Sequence, residues 1–234
     1  LTFFIVNRQI ISLNKQELIG GIICGIFLFL GYAFQNFGLI STTATKSAFI
    51  TSTSVLMVPV FLVLLNIQKV QLRIWIAVLI ATVGLYLLIL PGSGINIGDI
   101  ITFGCAISFA LHIIAQDHFI KKGIRLLPFI NIQLALVTAI SLFHALIFEP
   151  NPIIWSERLF GAIIITGLLA TFMALLIMNW AQKILNPSET AIIFAIEPVA
   201  AALFAMVFAG EILGLWGWIG GIMVCFAVVY AEKK

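Results

Sequence analysis

Residues 188–210 read SETAIIFAIEPVAAALFAMVFAG, and this stretch decides the class of the whole chain. It opens with helix-start signals. Pro187 ends what precedes it, Ser188 can cap, and Glu189 puts an acid in the first turn, where the helix dipole favours negative charge. Almost everything that follows is apolar, and at about 1.5 Å per residue such a run crosses a hydrocarbon core of about 30 Å. Glu197 is the exception, and Pro198 follows it at once. Counted from Ser188, the acid lies near the middle of the span, where an ionisable group is costly. Pro198 adds a second cost by freeing the carbonyl one turn back, at Phe194. Cost without local benefit points to a water-lined path; a buried structural acid is the alternative.

Composition extends that reading to all 234 residues, which are 62% hydrophobic and only 9% charged, with 20 Phe. Mean hydropathy is +1.21. Soluble domains carry about 25% charged residues, so this is an all-α polytopic membrane protein with the lipid bilayer as its surroundings. The net charge of +3 is spread over short loops and is no nucleic-acid signal. Cys24, Cys105 and Cys225 all fall inside apolar segments, at no metal-ligand spacing and in odd number, so no metal and no disulfide framework is expected. Nothing calls for a cofactor. Residue 1 is Leu and no signal-peptide layout follows, so the chain reads as lacking its start.

Residues 1–6 read as the tail of a helix. Apolar spans follow at about 18–40, 45–66, 72–90, 97–119, 126–148, 159–182, 188–209 and 213–231. Turn chemistry separates them: PGSG at 91–94, EPNP at 149–152 and NPS at 186–188. With alternating sides, one set of ends holds Arg8, Lys15, Lys69, Arg73, Lys121, Lys122, Arg125, Lys183, Lys233 and Lys234. The other holds only Lys46 and Arg158. That split of 10 against 2 makes the first set, and the C-terminus, cytoplasmic, and it predicts that Lys46 and Arg158 are reached from outside.

Gly38–Gly84 also lies on Ala181–Ala227 without a gap at a shift of 143 residues. Trp75-Ile76 meets Trp218-Ile219, Ala48 meets Ala191, Ile50 meets Ile193, Phe61 meets Phe204 and Leu72 meets Leu215. The identities are few, and the matching loop and span boundaries carry more weight. The halves are 1–92 and 97–234, and the first should begin roughly 45 residues before Leu1 if both are complete. A complete half has five spans, an odd number, so the two insert with opposite orientation. Ten helices are then expected in full, with eight and a fraction present. Inverted repeats of this kind point to a carrier with its site near the midplane.

Two stretches, GYAFQNFGLISTTATKSAFITSTSVLMVPVF at 31–61 and AIEPVAAALFAMVFAGEILGLWGWIGGIMV at 195–224, resemble EamA-type members of the drug/metabolite transporter superfamily. The sharpest parts are Glu197-Pro198, Gly210-Glu211 and Trp218-Ile219-Gly220, and the resemblance covers essentially the whole chain. It implies ten helices in two inverted halves, both termini cytoplasmic, in a bacterial inner (plasma) membrane. It also implies a carrier of small metabolites, often an exporter, without an ATPase domain. The first half departs from the second: Ser54-Val55 stands where Glu-Pro is expected, Pro59 is displaced by a turn, and Ile67-Gln68 replaces Gly-Glu.

Other polar residues inside spans are the further site candidates. Tyr32 and Asn36 share a helical face with Gln35 beside them, as a substrate-facing cluster or as hydrogen-bonded glue between helices. Thr51, Ser52, Thr53 and Ser54 form a run whose hydroxyls can return bonds to carbonyls one turn back, a packing role. Ser54 is set apart because the repeat places it opposite Glu197. Ser108, His112 and Gln116 recur every four residues, and His112 either binds substrate, relays protons or is a satisfied interhelical histidine. A structural role fits most of Asn131, Gln133 and His144. Asn179-Trp180 marks an inner helix end, and Asp117, His118, Lys121 and Lys122 read as a wet, snorkelling end.

A membrane enzyme would need HExxH, several His boxes or paired intramembrane acids, and three scattered histidines supply none of these. The expectation is therefore a non-enzymatic secondary carrier, exporting small organic solutes such as amino acids by alternating access, with Glu197 as gate or proton-coupling site. The alternatives are a structural or sensory membrane protein, or a drug- or nucleotide-type carrier. No Arg or Lys lies at mid-membrane, which disfavours strongly anionic substrates.

Overall fold

The computed structural model describes residues 14–89, 95–148, 155–209 and 214–232. The expected helix tail at 1–6, the turns at 91–94 and 149–152, and Gly210-Glu211 lie outside the described residues. The described chain is helical: α1 Lys15–Leu39, α2 Ala44–Ser52, α3 Ser54–Leu64, α4 Leu72–Ile89, α5 Ile97–Ile120 and α6 Leu126–Phe148. Then come α7 Glu157–Ile164, a π-helical stretch Ile165–Met173, α8 Ala174–Ala181, α9 Pro187–Phe194, α10 Ile196–Ala209 and α11 Leu215–Glu232. Six runs among the described residues are long and apolar enough to cross a membrane, and Leu72–Leu87 and Leu215–Ala231 are shorter apolar helices. The protein is an all-α polytopic membrane protein.

Helix starts are written in the sequence as Asn-x-x-acid boxes. The Asn186 side chain accepts the Glu189 N–H (3.0 Å), and the Glu189 carboxylate accepts the Asn186 N–H (3.1 Å). This corrects the expected cap at Ser188: Asn186 holds that place, Pro187 is the first helical residue, where its fixed φ suits the helix, and Ser188 is buried. Asn96 and Asp99 make the same reciprocal pair at 2.9 Å each way. Glu17 accepts the Asn14 N–H at 3.1 Å at the start of α1.

Two spans that read as single helices are interrupted. One breaks at Thr53, between α2 and α3, and the other at Ala195, between α9 and α10. Pro198 accounts for the second break: it stands in the first turn of α10, where its missing N–H costs nothing. The first owes nothing to a proline at the matching place, since Pro59 sits inside α3. There Ser52 Oγ donates to the Ala48 carbonyl and Thr53 Oγ1 to that of Ile50, drawing hydrogen bonds off the helical ladder. Element boundaries recur: α2 and α9 begin at Ala44 and Pro187, and α4 and α11 at Leu72 and Leu215, 143 residues apart in both cases.

The chain forms two compact units. One holds α1 up to Phe29, α5 from Ala115 onward, α6, α7, the π-helical stretch and α8. Its core gathers Cys24, Phe119, Ile120, Ile124 and Phe129. Gly21 and Gly25 bring α1 against α6, where an added Cβ would come within 2.7 Å of Ile132 Cβ and 2.9 Å of Leu136 Cδ2. No residue of Glu157–Met173 is buried.

The other unit holds the rest of α1, α2 to α4, α5 up to Ile114 and α9 to α11. Its longest seam is α4 against α11, with Ala77, Val78, Ala81, Leu85, Val224 and Ala227 in one core. Gly84 lets the α4 backbone meet that of α11: a Cβ there would stand 2.8 Å from the Gly220 carbonyl oxygen. α3 packs on α9 and α2 on α10, so the interrupted helices lie side by side.

Candidate functional site

The interrupted helices place Ser54 and Glu197 just beyond the two breaks, both in the second unit. Ser54 is the first residue of α3 and is buried. Glu197 is the second residue of α10, at the positive end of that helix's dipole, and its side chain is exposed, as Pro198 partly is. Among the described residues no hydrogen bond or ion pair is made to the Glu197 carboxylate. An acid left open to the surroundings of a broken membrane helix can exchange a proton or a cation.

Tyr32, Gln35 and His112 belong to the same unit. Tyr32 stands edge-on to Phe109 at 5.8 Å, Gln35 is half-buried and Asn36 is exposed. Ser108, His112 and Gln116 share a fully sequestered face of α5, and the Ser108 hydroxyl is spent on the Gly104 carbonyl at 2.8 Å. In the first unit, Gln116 Nε2 donates to Gln133 Oε1 at 3.4 Å, and both side chains are wholly buried. Gln116 Oε1 has no hydrogen-bond partner. Asn179 is likewise buried, giving its amide hydrogen to the Leu175 carbonyl at 2.6 Å, with Oδ1 unpartnered. Trp180 is 61% exposed, as an indole at a membrane interface is.

Charged groups at the helix ends depart furthest from expectation. Lys46 does not stand open to water. It is buried and its Nζ lies 3.1 Å from Asp99 Oδ2, while Thr42 Oγ1 donates to the other oxygen of the same carboxylate. Helix geometry is the reason: Lys46 is in the first turn of α2, and the acid of the Asn96 box waits opposite. Glu17 takes a two-pronged hydrogen bond from Arg125, Nε to Oε1 at 2.7 Å and a terminal nitrogen to Oε2 at 2.8 Å. That carboxylate pushes the Arg125 pKa further up. Arg73 approaches Glu189 at 4.0 Å. At the end read as wet, Asp117 is buried and paired with Lys121 at 2.9 Å, and Lys122 lies over the Phe119 ring. Sequence reading passed over Asp99 and Glu17, and the Asn-x-x-acid boxes at 96–99 and 14–17 are the signal that could have marked them.

Two proteins of Archaeoglobus fulgidus, each described as an uncharacterized transporter, are similar to this chain. One is 34% identical over 214 residues, covering 90% of this chain and 67% of the relative. The other is 26% identical over 217 residues, covering 88% and 76%. A solved crystal structure matches with a TM-score of 0.78 at 16% identity, over 92% of this chain and 85% of that one, a likeness of fold alone. The EamA-like transporter family matches two stretches, residues 1–90 and 96–231, which leave almost nothing of the chain uncovered. With its apolar helices and those two matches, the chain belongs to the EamA-like transporter family.

Proposed function

We propose that this multi-pass membrane transporter is a secondary carrier that exports small organic metabolites, amino acids or related solutes, by alternating access across a bacterial inner membrane. On this reading its C-terminus is cytoplasmic, and residues 1–92 and 97–234 are two EamA-like repeats of opposite orientation. The observation that carries the proposal is the pair of breaks, at Thr53 and Ala195, in corresponding helices of the two halves. Interrupted membrane helices at corresponding positions offer half-helix ends to a substrate or coupling ion at the midplane. The α4–α11 seam is in keeping with a two-fold between the halves, because Gly84 meets Gly220 while their counterparts at the 143-residue shift, Ala227 and Ala77, share the same core.

Glu197 is the gate or proton-coupling group in this scheme and Pro198 keeps the break beside it open. Ser54, Tyr32, Gln35, Asn36 and His112, which belong to the same unit as Glu197, are the further path residues. Cations of the described spans sit near helix ends, which favours neutral or zwitterionic solutes over strongly anionic ones. The test is uptake of a panel of labelled metabolites into proteoliposomes, with and without an imposed pH gradient. Saturable movement of at least one neutral or zwitterionic solute is expected. A panel that crosses no faster than through empty liposomes would exclude the carrier reading.

A further inference from the structure

Three ion pairs join the stretch before residue 92 to the stretch after residue 97: Lys46–Asp99, Glu17–Arg125 and Arg73–Glu189. In each, the acid is also the acid of an Asn-x-x-acid box at a helix start, so one carboxylate caps its own helix and grips the other half of the chain. Asp99 holds Thr42 Oγ1 on one oxygen, and Lys46 Nζ (3.1 Å) and the Asn96 N–H (2.9 Å) on the other. Glu17 holds the Arg125 fork and the Arg125 and Asn14 backbone N–H groups.

The placement is as telling as the pairing. Glu17 lies in the first turn of α1, and Thr42 lies three residues past its end. Asp99 lies in the first turn of α5, and Arg125 lies five residues past its end. One cluster therefore sits at each end of both helices. On the orientation set by loop charge, the Asp99 cluster is outside and the Glu17 and Glu189 pairs are cytoplasmic. The buried Lys46–Asp99 pair is a poor device for raw stability, because desolvation offsets most of its attraction. The same near-balance suits a contact that must break and re-form, since a carrier needs open and closed ends of similar free energy.

We propose that Thr42, Lys46 and Asp99 form the outer gate of the transport cycle and Glu17 and Arg125 the inner gate. The proposal rests on the alternating-access reading above. The two gates break in turn, so weakening one shifts the protein towards opening at that end and away from opening at the other.

Cys105 supplies the probe. It is fully buried, six residues along α5 from Asp99, with Sγ 3.7 Å from Thr51 Oγ1. With Cys24→Ser, Cys225→Ser and any cysteine outside residues 1–234 also replaced, it is the remaining thiol, and a membrane-impermeant maleimide added to right-side-out vesicles reads the outer opening. Lys46→Gln should raise the labelling rate about tenfold and Glu17→Gln should lower it about tenfold. Lys46→Arg should label like the parent, and Thr42→Val should act in the same direction as Lys46→Gln without removing a charge. Should Lys46→Gln fail to fold, Thr42→Val and Glu17→Gln carry the comparison. If the outer and inner variants move labelling in the same direction, or leave it unchanged, the pairs are static clamps and the gates do not exist. Failure of the carrier reading shows elsewhere, as absence of solute flux in the parent chain, which maleimide labelling does not touch.

Discussion

Glu197 stands two residues past the Ala195 break with its side chain exposed, in a segment whose neighbours are almost all apolar. Desolvation penalises the charged form of such a group, so it has a reason to take up and release a proton as its surroundings fill with water or empty. Glu197→Gln keeps the shape and a polar tip, and should melt like the parent while losing flux driven by a pH gradient. Pro198→Ala should do less, because it leaves the carboxyl in place. Flux in proteoliposomes beside a thermal melt of each variant decides the matter. A markedly lower melt for Glu197→Gln would make the acid structural, and unchanged pH dependence would make it a bystander. Glu197 and Pro198 stand out as candidates in the sequence because both are conspicuous in an apolar run. Lys46 does not: its partner lies 53 residues away, and a lone lysine near a predicted helix end reads as a loop cation. Asn186 was missed as the cap because Pro187 reads equally well as a stop or as a first helical residue.

At the scale of elements, span existence was carried by hydrophobicity, and the eight expected spans coincide with the observed helices to within a few residues. What hydrophobicity does not record is continuity. The break at Thr53 depends on which way two hydroxyls turn, and a Thr/Ser run gives the same pattern whether it bonds its own backbone or a neighbour. Small residues are read more safely once their neighbours are known. Gly84→Ala sets a methyl 2.8 Å from the Gly220 carbonyl oxygen, and should cost about 1–3 kcal/mol by overpacking the α4–α11 seam. Gly161→Ala meets nothing within 4 Å and should gain about 0.5–1 kcal/mol from helix propensity. Thermal unfolding in detergent should therefore move in opposite directions for the two variants. Equal shifts would mean that the seam yields more easily than its backbone contact implies.

For the whole molecule, orientation follows from where cations lie relative to the bilayer, and the structure changes which positions can report it. Lys46 is buried in its ion pair, whereas Arg158 and Lys183 are exposed. Arg158→Cys should react with an impermeant thiol reagent in intact cells, and Lys183→Cys only after permeabilisation, each in a background lacking native cysteines. The reverse result would invert the topology. The expected sidedness rests on the segregation of charge, because short loops carry nearly all the cations. The pairing of ends was not legible, because periodicity within one helix carries no information about which distant helix it meets.

The π-helical stretch Ile165–Met173 sets the phase of everything after it. Beyond it Asn179 points inward, wholly buried, and Trp180 outward. Removing a single codon from 165–173 lets a wide turn return to ordinary α geometry with the downstream face kept in place, whereas removing one from 174–178 turns that face by about 100°. The indole would then fall in the slot the amide now fills. In this helix the register of inside and outside hangs on the count of residues more than on their kind. A one-residue deletion in 174–178 should be more damaging than most single substitutions along the same stretch.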